Sequence, residues 1–149
     1  MESFVEFGFF GLFLASFLGA TVIPFSSELV LSLLLAKGFD INISIIVATL
    51  GNWLGGLSSY FLGSLGKWDF IEKYFRIKKE KIIRFKKKID RWGSTYAFLC
   101  CLPFIGDPIA VSLGFFKTNF VKVSIWMFIG KLVKYILWAF ITYWGISIF

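Results

Sequence analysis

Long apolar stretches, broken at a few places by prolines, carboxylates or lysines, dominate the pattern of this 149-residue chain. Residues 43–65 carry no charge, and a helix of this length crosses a hydrocarbon layer of about 30 Å. Residues 121–149 form a second stretch of spanning length. The pattern predicts an all-α integral membrane protein with a single membrane domain over residues 1–149.

The first apolar region, residues 7–36, is interrupted at what would be membrane depth. Pro24 breaks the stretch, Glu28 follows it, and the remaining piece, 29–36, is too short to span. Two shapes fit this pattern. One is a helix–break–helix hairpin that re-enters the side it left, and the other is a single long kinked span.

The second half of the chain repeats this plan at a fixed offset of 79 residues. Pro-Phe-x-x-Glu at 24–28 corresponds to Pro-Phe-x-x-Asp at 103–107, and the same offset relates Gly51 to Gly130 and Asn52 to Lys131. We therefore predict one repeat at 4–66 and a second at 93–149, joined by a linker at 67–92. If each repeat is a re-entrant hairpin plus one span, the second is inverted relative to the first, as in many transporters.

The linker carries the whole net charge of +7, with eleven basic and four acidic residues between positions 67 and 91. A basic patch can bind nucleic acid, but between membrane spans it is typical of a cytoplasmic loop. Ile82, Phe85, Ile89 and Trp92 recur at helical spacing, which predicts an amphipathic helix on the anionic inner leaflet. The basic residues expected to meet lipid are Lys78, Lys79, Lys81, Arg84, Lys86, Lys87 and Lys88.

Polar residues within the apolar stretches are the candidate site, because an ionisable group at membrane depth costs about 2.5–3.5 kcal/mol on insertion scales. The candidates for a substrate or proton site are Glu28, Asp107, Lys131, Lys134 and Asn52. Each also has a purely structural interpretation. The carboxylates can cap helices, the lysines can reach an interface, and the amide can bond a neighbouring helix.

Three prolines, Pro24, Pro103 and Pro108, are the predicted re-entrant breaks. Half-helices that begin after Pro24 and after Pro108 would present free N–H groups and a positive dipole end, which suit a phosphate. The lysines would add positive charge, and the desolvated carboxylates could take up a proton. The residues thus suggest a proton-responsive site that shields an anionic head group while its tails stay in lipid.

Catalytic chemistry is the weakest interpretation of this sequence. The chain has no histidine, which removes the commonest general base and metal ligand, and its two cysteines are adjacent. Gly106-Asp107 is similar to the motif of intramembrane aspartyl proteases, but a second carboxylate would have to be Glu28. We expect no enzyme, no catalytic residue, no metal and no cofactor.

The segment Ile23-Pro24-Phe25-Ser26-Ser27-Glu28 resembles the first re-entrant motif of the DedA family, whose domain is also called the VTT or SNARE-associated domain. Gly51-Asn52-Trp53 with Tyr60 and Gly63 resembles that family's next span, and Pro-x-x-Gly-Asp-Pro at 103–108 is most similar to the YqaA-like branch. The resemblance covers nearly the whole chain. It implies a bundle with two re-entrant loops and an essential acidic residue at Glu28. The arginines that many members carry near the second loop are absent, and Asp107 occupies that region.

The resemblance implies a lipid transporter that flips or scrambles undecaprenyl phosphate or a phospholipid, with possible proton coupling. A proton- or ion-coupled carrier of a small solute and a non-transporting membrane scaffold are the alternatives. The expected partners are anionic or phosphate-bearing lipids and a second copy of the chain, with no nucleic acid. The expected location is a bacterial plasma (inner) membrane, crossed more than once, with residues 67–91 in the cytoplasm.

Overall fold

A computed structural model describes residues 2–20, 27–66, 69, 72–73, 78–101 and 106–148, without the side chains of Glu2, Phe4 and Asp107. All regular structure in these residues is helical, which confirms the predicted all-α class. The helices are α1 (Glu2–Gly19), α2 (Ser27–Ala36), α3 (Ile41–Ser64), α4 (Lys79–Trp92), a 3₁₀ helix (Gly93–Cys101), α5 (Gly106–Phe115) and α6 (Phe120–Ile148).

Two of these helices, α3 and α6, are long and apolar enough to cross a membrane. Their 24 and 29 residues correspond to lengths of about 36 and 44 Å at 1.5 Å per residue. They run antiparallel, because Asn52 in the middle of α3 contacts Lys131 in α6 while Tyr60 near the end of α3 contacts Phe120 at the start of α6. This antiparallel pair forms the centre of the bundle.

Helices α1 and α2 also lie antiparallel to each other, since Gly8 near the start of α1 faces Leu34 near the end of α2. α1 packs closely along α3. A Cβ atom at Gly51 would lie 2.5 Å from the carbonyl oxygen of Phe13, so only glycine allows this approach. The first repeat is therefore an antiparallel helix pair followed by one long helix.

The limits of the short helices repeat in the two halves of the chain. α2 and α5 both have ten residues, and they begin and end 79 positions apart. The long helices α3 and α6 also begin 79 positions apart. The arms that precede the short helices differ, because α1 is an α-helix of 18 residues whereas its counterpart is a 3₁₀ helix of nine.

The turns between short and long helices repeat the same hydrogen bonds. The Phe39 N–H donates to the Leu34 carbonyl at 3.1 Å, and 79 residues later the Thr118 N–H donates to the Leu113 carbonyl at 3.0 Å. The residue before each donor has a positive φ, 83° at Gly38 and 50° at Lys117. The side chains of Asp40 and Asn119 then cap α3 and α6 at equivalent positions.

The predicted amphipathic helix of the linker exists as α4, but protein covers its apolar face. Ile82, Phe85 and Ile89 are buried among residues of the 3₁₀ helix and α5, whereas Trp92 is exposed. An apolar face occupied in this way cannot insert into lipid. Any contact of α4 with a membrane is left to its basic face.

The structure corrects the role expected of Pro108. Helix α5 already begins at Gly106, so Pro108 lies in its first turn and does not break it. A proline is tolerated there because the N–H groups of the first turn have no partner inside the helix. Pro24 and Pro103, the other two predicted breaks, lie outside the described residues.

Candidate functional site

Glu28 and Lys134 form an ion pair where α2 meets the middle of α6. The Lys134 Nζ donates to the Glu28 carboxylate oxygen Oε1 at 3.0 Å. Glu28 lies in the first turn of α2, and Lys134 is the central residue of the 29-residue α6. The side chains retain 24% and 20% of their exposure, so neither charge is sealed inside the bundle. A ligand can therefore reach both groups without unfolding a helix.

A row of polar contacts extends this pair along the α2–α6 contact. The hydroxyls of Ser27 and Tyr135 lie 2.7 Å apart, deeper than the ion pair. The Trp138 indole N–H donates to the Ser32 hydroxyl at 3.0 Å and to the Glu28 carbonyl at 3.1 Å. The contact ends at the hydroxyls of Ser32 and Thr142, which are 3.1 Å apart. We call this row the polar seam; its members are Ser27, Glu28, Ser32, Lys134, Tyr135, Trp138 and Thr142.

Asn52 and Lys131 form a second polar pair, buried between α3 and α6. The Lys131 ammonium donates to the side-chain oxygen of Asn52, and the Asn52 amide donates to the Ser16 carbonyl of α1 at 2.9 Å. The two side chains are only 4% and 3% exposed. Gly56 leaves room for the lysine, because a Cβ atom there would lie 3.1 Å from its Cε. This pair joins three helices through polar groups that water does not reach.

The structure thus brings four of the five predicted site residues into two pairs. Lys131 and Lys134 are three positions apart on α6, and each takes a different partner. The side chain of Asp107, the fifth residue, lies outside the described part of the structure. Within the described ranges, no three histidine, cysteine or carboxylate side chains lie together as a metal site would require.

The basic residues of the linker lie apart from both pairs, on the exposed side of α4. The side chains of Lys78, Lys79, Lys81, Arg84, Lys86, Lys87 and Lys88 are all exposed. Lys86 also lies over the ring of Phe116, with its Nζ 5.8 Å from the ring centroid. The charged face is therefore available to a partner while the opposite face holds α4 on the bundle.

Sequence reasoning did not identify the hydroxyl and indole groups of the polar seam. Ser32, Trp138 and Thr142 are ordinary residues in apolar helices, and no local pattern marks them. The available signal was spacing, because Lys134, Trp138 and Thr142 follow each other at four-residue steps and so share one face of α6. A lysine at one end of such a face indicates a polar surface along it.

Comparison with known proteins identifies the family of this chain. A family model described as VTT domain matches residues 23–144. The inner membrane protein YqaA of Escherichia coli is 30% identical over 141 residues, covering 91% of this chain and 92% of YqaA. An uncharacterized protein of Haemophilus influenzae is 32% identical over 139 residues, covering 88% of this chain and 85% of that protein.

A longer relative, the uncharacterized membrane protein YkoX of Bacillus subtilis, is 32% identical over 141 residues; these cover 89% of this chain and 62% of YkoX. No solved structure matches the chain. The family match covers both polar pairs and the polar seam, from the start of α2 to the last turns of α6. The resemblance to the DedA family is confirmed, and this chain is a membrane protein of the VTT-domain (DedA) family with YqaA among its relatives.

Proposed function

We propose that this protein transports a lipid phosphate across the membrane, by flipping or scrambling it. The observation that carries the proposal is the partly exposed Glu28–Lys134 pair in the middle of a spanning helix. A buried charge pair that only stabilised the fold would be better shielded, because lipid solvates ions poorly. A pair left open to its surroundings suits a site at which one partner is exchanged for a ligand.

The mechanism we propose is an exchange of partners at Lys134. A phosphate oxygen replaces the Glu28 carboxylate as the acceptor for the ammonium group, and Glu28 takes up a proton as it is released. Helix α2 begins at Ser27, so its first N–H groups and positive dipole end lie beside the exchanged charge. The acyl or prenyl tails stay in lipid throughout. Release of the phosphate returns the proton and restores the pair.

The architecture that we propose for this function is an inverted repeat with re-entrant hairpins. The repeated helix limits and turns support it, as does the antiparallel arrangement of α3 and α6. Helix α2 is about 15 Å long and cannot span a layer of about 30 Å, so it returns to the side from which α1 entered. The kinked-span alternative would require α1 and α2 to continue in one direction.

The orientation follows from charge. The linker carries +7 and belongs on the cytoplasmic side by the positive-inside rule. Helix α3 ends and α6 begins at the linker, so the start of α1 and the end of α6 lie on the opposite side. We also propose that two copies associate, since α3 and α6 alone make a thin bundle around a lipid head group.

Transport in proteoliposomes tests the proposal. Movement of labelled phospholipid and of undecaprenyl phosphate is measured for the wild type, Lys134→Gln and the matched control Lys122→Gln, which alters an exposed lysine of the same helix. Loss of one charge-assisted hydrogen bond is worth about 1.5–3 kcal/mol, so Lys134→Gln is expected to slow movement at least about tenfold. Lys122→Gln is expected to leave it unchanged.

Two further outcomes would replace the proposal. If correctly oriented wild-type protein moves neither lipid but exchanges a water-soluble solute in a counterflow assay, the chain is a small-solute carrier. If it moves neither lipid nor solute, and Glu28→Gln leaves its cellular function intact, the chain is a scaffold. Glu28→Gln in an active transporter should instead remove the dependence of lipid movement on a proton gradient.

A further inference from the structure

The two halves of the chain form two corresponding helix contacts. In one, α2 packs on α6; in the other, 79 residues away in both helices, α5 packs on α3. Each short helix therefore packs on the long helix of the other half. The Ser32–Thr142 contact of the first corresponds to the Val111–Gly63 contact of the second. Because α3 and α6 are antiparallel, the two contacts face opposite sides of the membrane.

The α5–α3 contact is closed by backbone packing. Gly63 lies directly against the Val111 carbonyl, and Gly114 lies against the Tyr60 carbonyl. A Cβ atom at Gly114 would also lie 3.0 Å from the Ser64 nitrogen. Val111 is 0% exposed, and Tyr60 is buried. No side chain, water or ligand fits between helices that touch through their main chains.

The α2–α6 contact is instead made by polar side chains. At the position of the closed Gly63–Val111 contact it has two hydroxyls, Ser32 and Thr142, each partly exposed. Trp138 is 37% exposed and donates its indole N–H into the contact. These groups leave the contact accessible from lipid and water along one side.

The polar seam has a direction. Lys134, Trp138 and Thr142 are four residues apart, so the seam rises about 12 Å from the middle of α6 toward its end. Thr142 lies six residues before the end of α6, on the side of the membrane opposite the linker. The seam therefore joins the Glu28–Lys134 pair to the non-linker leaflet.

We propose that the polar seam is the path by which a phosphate head group travels between the non-linker leaflet and Lys134. The structure then represents the state open to that leaflet, while the corresponding path at the linker end is closed by α5 packing on α3. The hydroxyls of Ser32 and Thr142 and the indole N–H of Trp138 replace water around the phosphate oxygens. This inference rests on the proposed function for its cargo, but the difference between the two contacts is independent of it.

Cysteine accessibility tests the path without any transport assay. In a background where Cys100 and Cys101 are replaced, Ser32→Cys is compared with Val111→Cys, the corresponding position of the closed contact. A charged, membrane-impermeant thiol reagent is added from each side in turn. We expect Ser32→Cys to react at least tenfold faster, and only from the non-linker side. Equal rates at the two positions, or reaction of Ser32→Cys from the linker side, would overturn the inference.

A transport measurement then tests the cargo. Ser32→Ala with Thr142→Val removes both hydroxyls at nearly constant volume, and Ser58→Ala, an exposed serine of α3, is the matched control. We expect the paired variant to slow lipid movement severalfold with unchanged yield and melting temperature, and the control to have no effect. Unequal cysteine labelling with an inactive wild type would refute the proposed function alone. An active wild type insensitive to the paired variant would refute the path.

Discussion

The buried Asn52–Lys131 pair provides a quantitative test of how this bundle is held together. The two residues correspond to each other in the repeat, 79 positions apart, and they also bond each other. Corresponding residues of two antiparallel halves can meet only near the axis that relates the halves. We therefore expect this hydrogen bond to couple the halves energetically, and a double-mutant cycle with Asn52→Leu and Lys131→Met measures that coupling.

The magnitude follows from the burial of both side chains. Asn52→Leu removes one acceptor from an ammonium group that is 3% exposed, and a hydrogen bond to a charged group is worth about 1.5–3 kcal/mol. Lys131→Met leaves the Asn52 oxygen without that donor, at a cost of about 1–3 kcal/mol. The double variant removes both groups together. Its loss of stability should therefore be smaller than the sum of the single losses by about 1.5–3 kcal/mol.

The assay is reversible unfolding in mixed micelles, followed by tryptophan fluorescence, for the wild type, both single variants and the double variant. Ser58→Ala with Lys122→Gln provides a control cycle between exposed residues of α3 and α6, for which a coupling near zero is expected. If the free energies of unfolding of Asn52→Leu and Lys131→Met add within about 0.5 kcal/mol, the pair does not couple the halves and the reasoning is wrong.

Two other features give predictions of their own. Gly63→Ala should destabilise the bundle by about 1–3 kcal/mol because its Cβ would overlap the Val111 carbonyl, whereas Gly145→Ala, with no atom within 4 Å, should be neutral; the same unfolding assay measures both. Replacing Lys86 and Lys88 of α4 by Gln should weaken binding to vesicles of anionic phospholipid by about 2 kcal/mol at low salt, measured by co-flotation. Binding that is unaffected by salt or by these substitutions would exclude an electrostatic contact.

The sequence predicted the helices better than their contacts. Uninterrupted apolar stretches located α3 and α6 within two residues at each end, because length and hydropathy alone determine a spanning segment. The repeat at offset 79 was visible in prolines, glycines and carboxylates. The structure adds repeated capping at Asp40 and Asn119, which are ordinary polar residues until the turn around each is known.

The candidate site was only partly accessible to sequence reasoning. Glu28 and Lys134 stood out because charge is rare in apolar segments, but they are 106 residues apart and nothing local pairs them. Trp138 and Thr142 became site residues only because α2 packs on α6. Similarly, the amphipathic pattern of α4 shows that Ile82 is covered, but not whether lipid or protein covers it.

The exchange of short helices between the halves has a consequence for biosynthesis. Helix α2 enters the membrane early, yet the ammonium group that neutralises Glu28 is made 106 residues later, and the Tyr135 hydroxyl that meets Ser27 is made 108 residues later. During that interval the nascent chain holds an unpaired carboxylate at membrane depth. A ribosome adding about 5–20 residues per second leaves it exposed for several seconds or longer. Docking of α2 is therefore a late event of assembly, and truncation before α6 leaves a charged segment for membrane quality control to recognise.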